Sequence, residues 1–239
     1  MRSISQKIQG EQFDPGFLGI FVNPFFIARQ ALARALQQFA PSLSGHLLDV
    51  GCGNKPYRHF FTKVSAYTGI EFDSPHARAH SEADVFYDGT RFPFPDGNFN
   101  SVLATEVLEH VFNPDEWLEE IRRVLKPGGN LLLTAPFVWD EHEQPHDYAR
   151  YSSFGISHLL KKHGFKITQQ MKTADDVRVF FQLWNCYVYK KIPTKRYRLR
   201  ILFYLVLIAP STLLGLALYR LIPKSDDFYL GNVILAQKS

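Results

Sequence analysis

The sequence predicts an α/β protein with a Rossmann-like, doubly wound and mostly parallel sheet of seven strands. Short runs of aliphatic and β-branched residues alternate with helical patterns through the middle of the chain, as a parallel sheet requires. A glycine-rich turn directly follows the first of these runs. The 239 residues are 46% hydrophobic and 21% charged, which is enough apolar material for one large core and unlike a disordered chain.

The predicted strands are short apolar runs that end at turn residues. In chain order they are 46–50, a run ending at Ile70, 84–87, 101–105, 131–134, 165–169 and 231–237. Helical patterns separate them. The clearest helix begins after Asn113 with Pro114 in its first position, and it ends at the Lys-Pro-Gly-Gly of 126–129. Further helices are predicted at 56–65, at 153–163 and, before the sheet, after Asn23-Pro24.

Charge and cysteine content narrow the function classes. Lys and Arg exceed Asp and Glu by 27 to 23, an excess too small to indicate nucleic-acid binding. Between Val177 and Ser225 there are nine basic residues and no acidic one, so the rest of the chain is net acidic. Two cysteines cannot form a disulfide framework, and the polar start has no signal-peptide core, so we expect a cytoplasmic protein.

In an open α/β sheet the ligand lies beyond the carboxyl ends of the strands. Gly51 and Gly53 follow the first predicted strand and allow a tight turn with close backbone approach to a ligand. A dinucleotide fingerprint would place a third glycine where this chain has Pro56, which disfavours a pyrophosphate. Glu71, 20 residues beyond Gly51, can accept both hydrogen bonds of a ribose diol. These residues indicate a nucleoside-type ligand.

Four sequence motifs, and their order along the chain, resemble those of the class I S-adenosylmethionine-dependent methyltransferases. The resemblance is to the large group with a glycine motif, an FPFPDGNF-like turn and an LEH motif. The matching segments are DVGCGNKPY (49–57), YTGIEFD (67–73), YDGTRFPFPDGNFNSVLATEVLEHV (87–111) and LKPGGNLLLTAPF (125–137). The family often has glycine at position 55 and aspartate at positions 71 and 100, where this chain has Lys55, Glu71 and Asn100.

The resemblance implies a site for S-adenosylmethionine, which would leave as S-adenosylhomocysteine. By that resemblance the cofactor-binding residues fall into four groups along the sheet edge. Asp49, Gly51, Cys52 and Gly53 would line the methionine and ribose, Glu71 and Phe72 the ribose and adenine, Asp88 and Gly89 the adenine, and Thr105, Glu106 and Val107 the floor. Cys52 has no apparent base partner, so nucleophilic catalysis by its thiol is not expected.

The resemblance also implies one methyltransferase-like domain over 1–239. Within it we expect an N-terminal helical cap at 1–45, an S-adenosylmethionine-binding core at 46–172, a basic hydrophobic insertion at 177–225 and the last strand at 228–237.

The segment after the fifth strand carries the candidate acceptor residues. His142 and His146 are candidate bases or acceptor contacts, because histidine titrates near neutrality, although hydrogen bonds that fix the loop are the alternative. The candidate substrate-binding residues are His110, Asp147, Tyr148, Arg150 and Tyr151. Arg150 would hold an acidic acceptor group or pair with Asp147, and Glu109 with His110 would contact ligand or form a solvated pair.

A metal site on His142 and His146 is a weaker alternative. The two histidines lie four residues apart among carboxylates, but Pro145 opposes a continuous helix that would present both. We therefore assign no metal ligand.

The insertion contains 19 consecutive uncharged residues, Ile201 to Tyr219, with basic flanks. The length would allow one membrane crossing, but the last strand must return to the same sheet, and Pro210, Ser211 and Gly215 predict two short helices with a break. We expect 190–224, with its 201–222 hairpin, to contact an anionic membrane surface. Packing over the domain or in a homodimer is the alternative.

The predicted function is S-adenosylmethionine-dependent methyl transfer to an unidentified acceptor, with an oxygen of a small, amphiphilic or lipid-linked molecule favoured. A noncatalytic, membrane-associated S-adenosylmethionine-binding scaffold is the alternative, and a nicotinamide-dependent oxidoreductase is less favoured. Nucleic acid is not an expected partner, because the cations surround an apolar segment. The expected location is the cytoplasm, with peripheral attachment to the inner face of a membrane.

Overall fold

The computed structural model describes residues 10–193 and 196–239. The first nine residues of the predicted cap and residues 194–195 of the predicted insertion lie outside them. The chain forms two compact units. The sheet unit comprises residues 35–137, 141–171 and 231–239. The helical unit comprises the described residues of 1–34, 138–140 and 172–230.

A seven-stranded sheet confirms the predicted fold class. The strands are β1 (Gly45–Val50), β2 (Val64–Phe72), β3 (Val85–Tyr87), β4 (Phe99–Thr105), β5 (Leu125–Pro136), β6 (Phe165–Thr173) and β7 (Gly231–Lys238). Their spatial order is β3-β2-β1-β4-β5-β7-β6. The pairs formed among β1 to β5 are parallel, and β7 runs antiparallel to β5. The order reverses direction at β1, where an open α/β sheet binds its ligand.

The helices are α1 (Gly19–Val22), α2 (Phe26–Phe39), α3 (Pro75–His80), α4 (Pro114–Val124), α5 (Ser153–Lys162), α6 (Arg178–Lys191), α7 (Tyr197–Phe203) and α8 (Ala209–Leu218). Helix α4 begins at the predicted proline and buries Trp117, Leu118, Ile121 and Val124 on one face. These side chains join the core of the sheet unit, where they pack with strand residues such as Leu48.

The predicted helix at 56–65 is wrong. Only a 3₁₀ turn forms there, at Arg58–Phe60, and β2 already begins at Val64. Tyr57 and Phe61 are buried on either side of this turn. The apolar spacing that resembles a helix face therefore comes from two side chains that flank a single turn.

The helical unit has its own apolar core. Ile20, Phe26, Val179, Ala209 and Leu230 are buried together in it. Inside the unit, α6 packs against α8, and the Asn185 amide donates a hydrogen bond to the Thr212 hydroxyl at 2.8 Å. Both side chains are fully buried.

The predicted break in the apolar segment is also wrong. A π-helical turn, Tyr204–Ile208, joins α7 to α8 without interruption, and Pro210 lies at the start of α8. Pro210 removes one backbone donor from this continuous helix, and the π turn directly before it changes the hydrogen-bonding pattern at that point. Leu199–Leu218 is the one helix among the described residues that is long and apolar enough to cross a membrane.

Candidate functional site

The carboxyl ends of the first four strands meet at one edge of the sheet. Val50 of β1 pairs with Ile70 of β2 and Ala104 of β4, and Ile70 pairs with Val85 of β3. This register brings the loop after β1 to the ends of β2 and β4, so the predicted cofactor-binding residues from four separate segments share one edge.

The two positions Gly51 and Gly53 in the loop after β1 favour glycine for different structural reasons. Gly51 has φ +69°, and a Cβ there would lie 2.4 Å from a methyl group of Val107, so glycine lets the loops after β1 and β4 touch. Gly53 has φ +48° and no atom within 4 Å of the position where its Cβ would be. The first glycine serves packing, whereas the second leaves an open face at the sheet edge.

Glu71 connects β2 to this loop. Its carboxylate accepts hydrogen bonds from the backbone N–H of Gly53 at 2.9 Å and of Phe72 at 3.1 Å. The Phe72 ring is 51% exposed beside Gly89 and meets the Tyr87 ring edge-on. An acidic group able to accept from a diol therefore lies next to an exposed aromatic face on which a base can stack.

Asp49 and Cys52 are buried titratable groups behind the loop. Burial raises the pKa of Asp49 to about 7, although the Tyr67 hydroxyl donates to its carboxylate at 2.5 Å. Burial and the neighbouring carboxylates also raise the pKa of the Cys52 thiol to about 12. The thiol is therefore protonated at neutral pH, which agrees with the expectation that Cys52 is not a nucleophile.

The remaining predicted cofactor-binding residues, from the adenine and floor groups, are held by protein contacts to different degrees. Asp88 accepts hydrogen bonds from the backbone and hydroxyl of Thr90, and these bonds lower its pKa. Glu106 has φ +54° and accepts a hydrogen bond from the Thr134 hydroxyl of β5 at 2.7 Å. The Thr105 hydroxyl is buried and has no hydrogen-bond partner among the described residues.

Lys55, where the family often has glycine, adopts the backbone conformation that favours glycine. Its φ is +49°, and its ammonium group contacts the carboxylate of Asp84 at 2.6 Å. Asp84 also accepts from the backbone N–H of Gly69 at 2.7 Å. The lysine thus adopts a left-handed conformation while it ties the first loop to the segment before β3.

These groups fit a nucleoside ligand. Gly53 leaves space that a Cβ would narrow, Glu71 supplies an acceptor for a ribose diol, and Thr105 offers a buried hydroxyl without a partner. The site assignments of individual residues remain predictions.

The loop between β5 and α5 is organised by Asp147 and Arg150. The guanidinium donates to both carboxylate oxygens of Asp147, at 2.6 and 2.7 Å, and this pairing lowers the Asp147 pKa. Asp147 also accepts from the backbone N–H of His142 at 2.9 Å, and its Oδ2 lies 3.3 Å from Nδ1 of the same residue. Arg150 therefore forms the ion pair with Asp147 that the sequence suggested as the alternative to binding an acidic acceptor group.

The two candidate histidines of this loop have different partners. Nδ1 of His146 hydrogen bonds with the Tyr148 hydroxyl at 3.0 Å, and this histidine is exposed. The His142 ring instead meets the His110 ring edge-on, with centroids 4.8 Å apart. The structure thus pairs His142 with His110, 32 residues away in sequence, rather than with His146.

The two tyrosines also differ. Tyr148 is half exposed and meets Phe112 edge-on, whereas Tyr151 packs against the core of the sheet unit, where burial raises its pKa. Tyr148 therefore lies where a ligand can reach it, and the ring of Tyr151 has a packing role.

The environment of Glu109 could not be predicted from the sequence. Its side chain has 0% exposure, and neither carboxylate oxygen accepts a hydrogen bond from another described residue. Burial, with Glu106 nearby, raises its pKa well above the usual value for glutamate. The adjacent Glu-His pair after β4 was the visible signal, but sequence does not reveal that the 3₁₀ turn Leu108–His110 buries the carboxylate.

Comparisons with known proteins match this chain to methyltransferases. Residues 48–133 match the family model described as a methyltransferase domain. The chain is 37% identical over 122 residues to an uncharacterized methyltransferase of Mycolicibacterium gilvum, covering 48% of this chain and 45% of that protein. It is 34% identical over 98 residues to a fatty-acid O-methyltransferase of Mycolicibacterium smegmatis, covering 37% and 36% of the two chains. The matches thus span less than half the length of these two relatives.

Among solved structures, the fold resembles phosphoethanolamine N-methyltransferase 2 of Haemonchus contortus in complex with S-adenosyl-L-methionine. The TM-score is 0.54 and the sequence identity 21%, over 100% of this chain and 60% of that one. At this identity the likeness concerns the fold.

Proposed function

Because this chain belongs to the class I S-adenosylmethionine-dependent methyltransferases, we propose that it transfers a methyl group from S-adenosylmethionine to an oxygen of an amphiphilic or lipid-linked molecule. The observation that carries the proposal is the sheet edge where Glu71, the open face of Gly53 and the exposed Phe72 ring lie together.

On the donor side, we propose that Glu71 binds the ribose hydroxyls and that Phe72 stacks on the adenine. Glu71 is already oriented by the Gly53 backbone N–H, so little side-chain freedom is lost when a diol binds. Bound S-adenosylmethionine supplies an activated methyl group on a sulfonium sulfur. Asp49, with a pKa near 7, places an ionisable carboxyl behind the loop that holds the cationic part of this molecule.

On the acceptor side, we propose that the acceptor lies against the loop of residues 142–151. His146 is exposed and hydrogen bonded to Tyr148, so its orientation is constrained while its ring remains accessible. A neutral histidine is suited to accept the proton that an acceptor hydroxyl loses. Excluding water and aligning the acceptor are then the main tasks of this side of the site.

Two observations support an amphiphilic acceptor. One relative is named a fatty-acid O-methyltransferase. Only 22% of the most apolar stretch of the helix Leu199–Leu218 is buried, and exposed side chains such as Leu202, Leu205 and Val206 lie on this helix. Helix α6 also carries exposed aromatic side chains, Phe180, Trp184 and Tyr187, and ends in the exposed lysines Lys190 and Lys191, a combination typical of segments at a membrane interface. We propose that this segment binds an anionic membrane surface.

The test is methyl transfer from labelled S-adenosylmethionine to a panel of fatty acids, phenols and lipid-linked hydroxyl compounds. Each compound is offered both free and in vesicles that contain phosphatidylglycerol. We expect label in an ester or ether product, with higher turnover for the vesicle-borne compounds. Equal turnover of soluble phenols and vesicle-borne acceptors would contradict the amphiphilic part of the proposal. Saturable donor binding without turnover of any acceptor would favour a noncatalytic scaffold instead.

A further inference from the structure

We propose that Glu109, His110 and His142 bind a divalent first-row metal ion at the acceptor side of the site. Metal binding itself stands on the geometry of these three residues, whereas the catalytic role described below rests on the proposed function. One carboxylate and two imidazoles form a ligand set that binds zinc, iron, manganese or cobalt and leaves coordination positions open.

The candidate ligand atoms already converge. Nε2 of His110 lies 3.8 Å from Oε1 of Glu109, and Nε2 of His142 lies 4.0 Å from the same oxygen. One ligand atom from each residue falls within a group whose members are all within 4.8 Å of one another. Because metal–ligand bonds are about 2.0–2.2 Å long, the three side chains need to close by only about 1 Å around an ion.

The opposite ring nitrogens have the partners that metal-binding histidines usually have. Nδ1 of His110 lies 2.6 Å from the backbone carbonyl oxygen of His146, and Nδ1 of His142 lies 3.3 Å from Oδ2 of Asp147. A hydrogen bond from Nδ1 to oxygen orients the ring and fixes the tautomer in which Nε2 binds a metal, as in His110. Nδ1 of His142 also lies 3.4 Å from the guanidinium of Arg150, and Nε2 of both rings lies within 4.0 Å of Oε1 of Glu109.

Glu109 supplies the independent sign of a ligand. Its fully buried carboxylate accepts no hydrogen bond from another described residue, and a buried polar group without a partner is costly. Glu106 and Asp147 are also near this carboxyl group, and the guanidinium of Arg150 is bound to Asp147. Glu143, whose Oε2 is 3.8 Å from Nε2 of His110, adds a further carboxyl group at the exposed side. A cation would give these oxygen atoms the partner that the described side chains do not supply to Glu109.

A bound ion gives the acceptor side a Lewis acid. An acceptor hydroxyl in contact with the ion would have a lowered pKa, so that its proton passes to the ring of His146 at neutral pH. The acceptor oxygen then forms a bond to the methyl carbon while the carbon–sulfur bond of the donor breaks, and S-adenosylhomocysteine leaves. This arrangement assigns metal binding to His142 and proton transfer to His146.

The experiment titrates the full chain, after chelator treatment and tag removal, with Co²⁺ and Zn²⁺. We expect one tight equivalent by calorimetry, a Co²⁺ absorption band and a higher melting temperature with the ion. Glu109→Gln and His110→Gln should weaken this binding by about 100-fold or more, since loss of supporting partners alone costs about 10–100-fold. Glu109→Gln replaces the buried carboxyl group with an isosteric amide, so we expect the metal-free variant to remain folded.

A second histidine pair supplies the matched control. His76 and His80 lie one turn apart on α3, and their ring centroids are 4.5 Å apart, so they are able to capture a cation at the surface. The His76→Gln/His80→Gln protein should keep the tight equivalent. No tight binding by the wild type, or binding that is lost in this control and kept in Glu109→Gln, would overturn the inference.

A separate binding measurement distinguishes an error in the proposed function from an error in the metal site. S-Adenosylmethionine binding is measured separately without metal, and Glu109→Gln should retain it because Glu109 is not among the donor-binding residues. A protein that binds Co²⁺ at Glu109 but does not bind S-adenosylmethionine would refute the methyltransferase proposal and leave the metal site standing.

Discussion

At the scale of single residues, Glu71 has two tasks that are separable by substitution. Its carboxylate holds the Gly53 backbone N–H at 2.9 Å, and we propose that it also accepts from a ribose diol. Glutamine keeps an oxygen for the backbone bond but loses the negative charge, whereas alanine loses both.

The first prediction concerns this residue. Glu71→Ala should weaken S-adenosylmethionine binding by about 1–3 kcal/mol, which is about 5- to 150-fold in Kd. Glu71→Gln should lose a smaller part of this affinity. Calorimetry measures both, and Asp73→Asn is the neighbouring control, because Asp73 is paired with Arg78 at 2.6 Å. Unchanged affinity in Glu71→Ala would remove the residue from the donor site.

The second prediction is a pH dependence set by Asp49. Its pKa of about 7 means that the carboxyl is largely neutral at pH 6 and largely ionised at pH 8. Only the ionised form attracts a cationic donor, so affinity should rise with pH, by at most about tenfold per unit below the pKa.

Asp49→Asn provides the control for that experiment. The asparagine does not titrate, so its affinity should change with pH only through groups on the donor and elsewhere on the protein. Parallel pH profiles for wild type and Asp49→Asn would show that Asp49 does not set the dependence.

The sequence allows single residues to be assigned to the sheet edge where a motif names them, but it does not reveal contacts that depend on tertiary structure. The turn glycines and Glu71 could be identified because each follows a predicted strand. The meeting of His110 with His142 could not, because it depends on how two loops fold over one sheet edge. The unpartnered state of Glu109 depends on burial, which no local pattern encodes.

At the scale of elements, the pairing of α6 with α8 rests on a buried polar contact. Asn185 and Thr212 are both fully buried, and the hydroxyl is the hydrogen-bond acceptor for the amide at 2.8 Å. Gly215, one turn further along α8, faces Phe181 so closely that a Cβ would lie 2.9 Å from the ring. Hydrogen bonding and close packing together set how these helices meet.

The third prediction tests this contact. Thr212→Val removes the hydroxyl at nearly constant volume and leaves the amide without its acceptor, so the free energy of unfolding should fall by about 1–3 kcal/mol. Thr212→Ser keeps the hydroxyl and should cost less. Denaturant unfolding measures both changes, and Asn185→Leu combined with Thr212→Val should recover part of the loss. If valine and serine cost the same, the hydrogen bond contributes little to stability.

The predicted secondary structure was wrong where one local sequence pattern is compatible with more than one structure. Residues 56–65 have a helix-like apolar spacing, but Tyr57 and Phe61 fill the core from either side of a single turn. A proline usually signals a helix end, but Pro210 directly follows a π turn in a helix that continues to Leu218.

At the scale of the whole molecule, positive charge and exposed apolar surface occur in the same unit. Three of its cations have acidic partners: Arg178 with Asp176, Lys190 with Asp140 and Lys224 with Asp175. Carboxylates outside 177–225 therefore compensate part of the positive charge of that segment. Lys191 and Arg220 are among its exposed cations. Membrane binding should consequently depend on apolar contact as well as on charge.

The fourth prediction follows from that balance. A triple variant with Leu202, Val206 and Leu221 changed to serine should lose flotation with phosphatidylcholine–phosphatidylglycerol vesicles. These side chains are 55%, 60% and 79% exposed. Wild-type binding should weaken, without vanishing, in high salt or without phosphatidylglycerol. Phe154→Ser, at a side chain that is 84% exposed in the sheet unit, is the control. Equal flotation of the triple variant and wild type would exclude this surface as the membrane contact.

The seven-stranded sheet was predictable because alternating strands and helices allow few connections, and the resemblance selected one of them. The division into two compact units was not, because the helical unit combines segments from three parts of the chain.

That assembly has a consequence for synthesis. Ile20, Phe26 and Ile27 share a core with Val179, Ala209 and Leu230, which emerge from the ribosome some 150 or more residues later. At about 5–20 residues per second, the early segment waits for on the order of ten seconds with its apolar face uncovered. The nascent chain therefore carries this apolar segment uncovered until residues 179–230 have been made, a period in which a chaperone would have its clearest opportunity to bind.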